Sequence, residues 1–476
     1  MQIHNDQYIN GCWEKSHSNL SLDVLNPATE ELWARVPNGN ARDIDDAVAA
    51  ADRAFAGWAK LSPHERANYL CRLAEEIEVR ADEIAQTITK ENGTPIAESS
   101  AAPGHSAEHL RLTARLADNL SENDWRTNPM GSGATQVKRV PLGVAGLITP
   151  WNFPLGLIII KLGPALLAGC TVVIKPAPET PMATRLLMEA VAAAGFPAGV
   201  VNLVTGSTEA GQSLVNHPTV RKVSFTGSTE VGRGIARTCG ENLKPVTLEL
   251  GGKSPAIVLD DFDPNVFKKH LLRVSMRNTG QTCKACTRLL VPADRYQELS
   301  ALAAEIVAAA PIGDPLDQET FFGPLVSAKQ QERVADYIAL GKAEGATATA
   351  GGNAHRFERG FYVEPTVFTD VTPDMRIARE EIFGPVLVVI PYRDLDEAVA
   401  IANDSDYGLA ATVFSSDESK ATAVANRLET GNVGINHYGS NAAAPFGGHK
   451  DSGLGVEFGY EGLSSYLQYS SIHYQD

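Results

Sequence analysis

The chain has 476 residues, about three times a common single-domain length, so several packed units are expected and one small module is excluded. Lys plus Arg number 41 against 57 Asp plus Glu, and the resulting charge of −16 repels phosphate backbones and anionic lipid, which argues against nucleic acid or a membrane surface as partner. With 43% hydrophobic and 21% charged residues the composition is that of a globular chain, not a disordered one.

Six cysteines, Cys12, Cys71, Cys170, Cys239, Cys283 and Cys286, are too sparse for a disulfide framework and suit a reducing, cytoplasmic location. The first residues, MQIHND, show no basic segment followed by an apolar run, so no secretory signal is expected, and Asn92-Gly-Thr and Asn119-Leu-Ser are chance sequons.

In chain order, Ile44, Val48, Ala51, Phe55 and Trp58 recur at helical spacing. Ser62, Pro63 and Glu65 form a cap, a first-turn proline and a capping box for a second helix, whose stripe Leu70, Leu73, Ile77 and Ile84 runs towards a stop near Asn92-Gly93. The N-terminal part thus reads as mostly helical. Residues 155–174 are the most apolar stretch, but Lys161 and Gly163-Pro164 interrupt it, and a span needs about 20 predominantly apolar residues. A buried helix and strand are expected there, with no membrane crossing. From about residue 140 short β-rich runs at 143–149, 171–175, 200–205, 221–226, 246–250 and 256–259 alternate with helical segments, the pattern of βαβ units and a parallel sheet. GSTEAG (206–211) and GSTEVG (227–232) read as two equivalent strand-to-helix turns. A second helix and strand series follows residue 263, and no low-complexity linker marks a join.

Several residues invite chemistry, each with a plainer alternative. Gly227, Ser228 and Gly232 lie in a turn that opens a helix, where free N–H groups suit a pyrophosphate, although the second glycine of G-x-G-x-x-G is missing and a structural turn fits equally. Cys283, in NTGQTCKAC, is either a buried small hydrophobe or a nucleophile. With Cys286 it makes C-x-x-C, a possible redox dithiol that Lys284 would favour; no second Cys or His pair supports zinc, and no metal is expected. Glu249 ends an apolar strand before Gly251-Gly252, where burial would raise its pKa and suit general-base work, or where it is simply a paired carboxylate. Asn152 and Lys175 stand just after strands, the edge where open α/β sheets bind ligands; a loop hydrogen bond is the plainer role for each.

Taken in order, PWNFP (150–154), VIKP (173–176), FTGSTEVG (225–232), LELGGKSP (248–255), GQTC (280–283), EEIFGPV (380–386) and PFGGHKDSG (445–453) resemble the aldehyde dehydrogenase superfamily across nearly the whole chain. The resemblance implies an α/β protein with a doubly wound parallel-sheet cofactor domain (1–121 and 142–250), an α/β catalytic domain (251–454) and a small β oligomerisation element (122–141 and 455–476), assembled as a homodimer or homotetramer. It implies Cys283 as nucleophile, an oxyanion held by the Asn152 amide and the Cys283 N–H, and Glu249 activating the hydrolytic water. NAD, with NADP possible, would be bound by Thr149, Trp151, Lys175, Glu179, Gly227, Ser228, Gly232, Leu250, Glu381 and Phe383. Many NAD-preferring relatives place a glutamate three residues after the lysine; here that position is Pro178 and the acid is displaced to Glu179.

By the same resemblance Phe153, Leu157, Ile160, Thr282, Lys284, His437, Tyr438, Ala442 and Ala443 line the substrate tunnel. No arginine is expected there to capture a semialdehyde's carboxylate, so an apolar aliphatic, aromatic or terpenoid-like aldehyde is favoured, with Lys284 the one hint of an acid. The alternatives are a CoA-acylating relative, against which Glu249 argues, a thiol redox protein using Cys283 and Cys286, and a silent member of the fold. If Cys283 and Cys286 share a helix at i and i+3, a reversible disulfide between them is expected.

Overall fold

The computed structural model describes residues 1–120, 124–353, 357–437 and 439–475. Before the first long helix the chain forms five strands, Gln2–Ile3, Asp6–Ile9, Cys12–Lys15, Ser21–Asn26 and Glu31–Pro37, so the expectation of a mostly helical N-terminal part fails over its first residues. The missed signal is Asn10-Gly11: both residues have positive φ, 53° and 83°, and join paired Ile9 and Cys12 as a two-residue hairpin loop of the Asn-Gly kind. The helices then follow with one difference: the single second helix expected from Ser62 to Asn92 divides at Arg80, whose φ of −102° and ψ of 14° leave the helical region. Ala41–Ala59 and Pro63–Val79 each start at a capping box (Asn40 with Asp43, Ser62 with Glu65), and Ala81–Asn92 stops at Gly93 with φ 84°.

Five parallel strands lie in the spatial order Val201–Leu203, Thr171–Lys175, Val144–Ile148, Val220–Thr226, Val246–Glu249. The chain starts in the middle strand, winds out one way, then returns and winds out the other way, which puts the topological switch point between Val144–Ile148 and Val220–Thr226. Alternate side chains of one strand serve two cores: Val172 and Ile174 pack with Leu70, Leu147 and Leu166, whereas Val173 packs with Leu214, Val223 and Leu248. Burial on both faces is why these strands read as continuous apolar runs. The antiparallel hairpin of residues 6–15 extends one edge. At the other edge Gly453–Leu454 pairs with Leu248 and Glu249, so this piece of the 251–454 range is built into the first sheet.

A second sheet has the order Thr347–Ala350, Thr366–Thr369, Val386–Tyr392, Arg288–Pro292, Pro255–Val258, Ala410–Phe414, Asn432–Ile435, parallel except for its first strand, again with a core on each face. A third, antiparallel sheet joins Asp124–Thr127 and Ala134–Pro141 to Leu467–Tyr474. The apolar stretch forms the helix Gly156–Ala168 and the strand Thr171–Lys175, and among the described residues no helix is long and apolar enough to cross a membrane.

Candidate active site

In-register pairing aligns the carboxyl ends of the parallel strands: Ile148 lies beside Lys175 and Phe225, and Thr226 beside Glu249. Residues that follow these strands are therefore delivered to one edge, at the switch point, whatever their separation in sequence. Asn152 is buried there and its Nδ2 donates to the Gln281 carbonyl at 3.0 Å, which uses one amide hydrogen and fixes the direction of the other.

Gln281 belongs to the segment that presents Cys283. The helix Pro264–Met276 ends at Arg277, and Asn278 and Thr279 then take left-handed φ of 52° and 55°, a conformation costing about 1–3 kcal/mol per non-glycine residue. Hydrogen bonds hold it. Thr94 Oγ1 donates to Asn278 Oδ1 at 2.8 Å, Asn278 Nδ2 to the Asn152 carbonyl at 3.0 Å, and Thr279 Oγ1 to the Gly323 carbonyl at 3.2 Å. Gly280 follows at φ 74°, and a Cβ there would lie 2.1 Å from the Gly384 carbonyl oxygen, so no side chain fits. The thiol is thus clamped from both sheets. Cys283 keeps a partly exposed face, yet burial pushes its thiol up to about 12, with Glu249 and Glu381 adding to the rise and Lys284 opposing it.

Cys283, Asn152 and Glu249 all line one cavity of about 220 Å³, together with Phe153, Leu157, Ile160, Thr282 and Lys284. Glu249 is buried and neither carboxylate oxygen has a hydrogen-bond partner among the described residues; burial raises its pKa well above the carboxylate range, Glu457 raises it further, and Lys161 opposes both. Lys161 and Glu457 form a buried ion pair that sequence reading missed. Lys161 Nζ also donates to Thr226 Oγ1 at 2.7 Å, and Ser224 Oγ donates to Glu457 Oε1 at 3.5 Å. The available signal was one lysine inside an apolar helix, facing alternate hydroxyls of a buried strand.

Other tunnel expectations divide. Ala442 and Ala443 line an adjoining cavity of about 200 Å³ that shares His109, Ile160 and Phe458 with the first. His437 lines neither cavity, because its segment packs on the strand Ala410–Phe414, with Thr412 Oγ1 donating to its carbonyl at 3.5 Å. Tyr438 lies outside the described residues. The expectation that no arginine stands near the tunnel is wrong: Arg277 lines the cavity, brought there by the break after Met276, and pairs with Glu98. The helix on which the disulfide expectation was conditional is absent. Residues 283–286 form a turn and loop, not a helix, and Cys286 is buried in a separate core with its Sγ 3.7 Å from Thr412 Oγ1.

Most of the cofactor candidates follow the carboxyl ends of the same parallel strands. The Lys175 ammonium donates to the Pro176 carbonyl at 2.7 Å, which leaves two of its three hydrogens unused among the described residues; burial lowers its pKa to about 8 and Glu179 opposes that fall. Thr149 Oγ1 is buried without a partner. Ser228 caps the helix Thr229–Glu241 and accepts from the Val231 N–H at 3.4 Å, while Gly227 N donates to the Glu249 carbonyl at 3.0 Å. Gly232 lets that helix approach the sheet, since a Cβ there would fall 2.4 Å from Leu250 Cδ2, and Leu250 itself packs into the core. Farther along, Glu381 accepts from the Gly252 N–H at 3.0 Å, with burial raising its pKa to about 7, and the Phe383 ring meets Trp151 edge to face at 5.3 Å. Unused buried donors at one end and a carboxylate with two aromatic rings at the other fit the polar and planar ends of a dinucleotide.

The aldehyde dehydrogenase family pattern matches residues 13–472. The chain belongs to the aldehyde dehydrogenase family. Among its relatives, the geranial dehydrogenase of Castellaniella defragrans is 47% identical over 99% of this chain and 98% of its own length. A 3-succinoylsemialdehyde-pyridine dehydrogenase from a Pseudomonas species is 42% identical over 99% of both chains. Solved structures agree in fold: a mutant of aldehyde dehydrogenase C from Pseudomonas syringae, in complex with NAD+ and octanal, superposes with a TM-score of 0.94 at 44% identity, covering 98% of this chain and 96% of that one. The Mycobacterium tuberculosis aldehyde dehydrogenase complexed with NAD+ has a TM-score of 0.96 at 42% identity, covering 99% and 98%. The family reaction is the oxidation of an aldehyde, and the α/β architecture of this chain is that of its solved relatives.

Proposed function

We propose that this aldehyde dehydrogenase oxidises an uncharged, largely apolar aldehyde, aliphatic, aromatic or terpenoid-like, to the carboxylic acid with NAD+ through a covalent Cys283 intermediate. The observation that carries this is the convergence of Cys283, Asn152 and Glu249 on one cavity whose wall is mainly carbon. In this reading the Cys283 thiol loses its proton to solvent, Sγ adds to the aldehyde carbon, and the oxyanion forms against the free amide hydrogen of Asn152 and the Cys283 N–H. NAD+, which Lys175, Ser228, Glu381 and Phe383 would hold, would supply the hydride acceptor for oxidation of that carbon to a thioester. Glu249 then takes a proton from water, the hydroxide attacks the acyl carbon, and the acid leaves as the thiol is restored. The Lys161–Glu457 pair acts electrostatically on Glu249, with Glu457 raising its pKa and Lys161 opposing the rise. A water-activating base disfavours the CoA-acylating alternative, and the separation of Cys286 from the cavity disfavours the redox alternative.

NAD over NADP is favoured by Glu179, which acts electrostatically on Lys175 despite its displacement and would repel a 2′-phosphate. The octanal and NAD+ of the P. syringae complex and the geranial of the C. defragrans relative lend the substrate class support by analogy. We assign cofactor binding to the first sheet and its helices, the thiol to the second, and self-association to the third, with a homodimer or homotetramer in the cytoplasm. The deciding experiment is reduced-cofactor absorbance with short, long, aromatic, terpenoid and carboxylated aldehydes, each with NAD+ and NADP+. The expected ranking puts medium and bulky neutral aldehydes with NAD+ first; turnover only on adding coenzyme A would overturn the hydrolytic reading.

A further inference from the structure

We propose that Glu98 is a specificity-determining residue, whose pairing with Arg277 on the cavity wall prevents that guanidinium from capturing aldehydes with a distal carboxylate. The proposal rests on the reading of this cavity as the aldehyde site. Both side chains line the cavity and are partly exposed to it, 22% for Glu98 and 26% for Arg277. Arg277 Nε is bound to Glu98 Oε1, and its guanidinium carbon sits 5.1 Å from the Phe153 ring centre. Among the described residues its two terminal nitrogens make no hydrogen bond. A guanidinium fixed on a ring, with a free edge turned to a partly desolvated space, is suited to bidentate carboxylate binding. The neighbouring charge strengthens the point. Lys284 lines the same cavity and feels the Arg277 charge, while burial keeps His109 on the neutral side and so removes one more cation.

Glu98 is the acid on this wall that offsets the arginine, and the backbone holds it there. Its short helix Ile96–Ser99 is tied down by the Ile96 N–H donating to the Pro315 carbonyl at 2.7 Å and by a 2.6 Å bond between the Ser99 and Thr89 hydroxyls. An incoming carboxylate must therefore bind beside an anchored carboxylate that already offsets the Arg277 charge, in a low-dielectric space where the two anions repel, whereas a neutral chain meets a compensated pair.

The test compares two aldehydes of equal length, adipate semialdehyde and its methyl ester, by kcat/KM. In Glu98→Gln the acid-to-ester ratio is expected to rise about tenfold or more, the size of one charge-assisted hydrogen bond, with most of the change in KM. In Glu98→Gln combined with Arg277→Met the gain disappears. A Glu98→Gln protein that loses both substrates equally, or a gain that survives the second substitution, overturns the proposal in favour of a purely structural pair. Adipate semialdehyde and its methyl ester bound to Cys283→Ala proteins with and without Glu98→Gln by calorimetry give the same comparison without turnover, again with an expected tenfold shift towards the acid in the Glu98→Gln background. If the wild-type enzyme does not oxidise the neutral methyl ester, the apolar-aldehyde reading fails, and the calorimetric ratio still decides the role of Glu98.

Discussion

At Cys283 two demands pull apart: the loop must exclude water around a reacting carbonyl, and the nucleophile must be a thiolate. Burial and the carboxyl groups of Glu249 and Glu381 win in the free protein, so the thiol is held at about 12. Raising a thiol pKa favours the protonated form, and below that pKa the thiolate fraction grows about tenfold per pH unit. Alkylation of Cys283 by iodoacetamide without cofactor is therefore expected to accelerate steadily from pH 7 to 10 with no plateau; a plateau near pH 8 would contradict the raised pKa. Cys283→Ala should reduce oxidation to background, whereas Glu249→Gln should still form the acyl-enzyme but lose about 10²–10⁴-fold in its hydrolysis. Quenched-flow product bursts separate the two. Residue identity was legible for Cys283, Glu249, Asn152 and Lys175, because each follows a recognisable strand or glycine signal. Arg277 and Glu98 were not legible: 179 positions separate them, and only the end of the helix at Met276, with Arg277 in extended backbone, brings the arginine to the cavity.

Among the elements, the third sheet asks most plainly for a partner. The strand Leu467–Tyr474 is almost wholly exposed, and Tyr469, Tyr474 and Trp125 stand 61%, 47% and 51% open, with the Trp125 and Tyr474 rings tilted at 46° to each other and 5.0 Å apart. Long exposed strands with apolar side chains are ordinarily covered or blunted. Self-association through this sheet predicts that Trp125→Lys with Tyr469→Lys shifts the protein to monomer by light scattering while the thermal transition stays cooperative; an unchanged mass would remove this sheet from the interface. Helix starts are legible from caps and stripes because those signals are local, whereas the break at Arg80 carries no such signal. The Asn10-Gly11 hairpin is encoded just as locally, in two adjacent residues that tolerate positive φ. A disulfide between Cys283 and Cys286 was conditional on a shared helix; instead Asn278 and Gln281 are tied to Asn152 at the edge of the first sheet while Gly280 lies against Gly384, and residues 283–286 form a turn and loop.

For the whole molecule, function arises where two sheets built from separate stretches of chain meet: the first brings Asn152, Glu249 and the Lys161–Glu457 pair, the second brings the segment that carries Cys283. The sequence by itself determined the elements, the alternation that makes a parallel sheet, and the family, because periodicity, capping and ordered motifs are encoded over a few residues at a time. Only the tertiary structure decided which side chains share a cavity. It paired Lys161 with Glu457, turned Arg277 towards Glu98, and sent Cys286 into a core away from Cys283. The physical reason is that charge compensation and burial depend on distances through space, and strand register, loop strain and sheet packing set those distances between residues far apart in the chain.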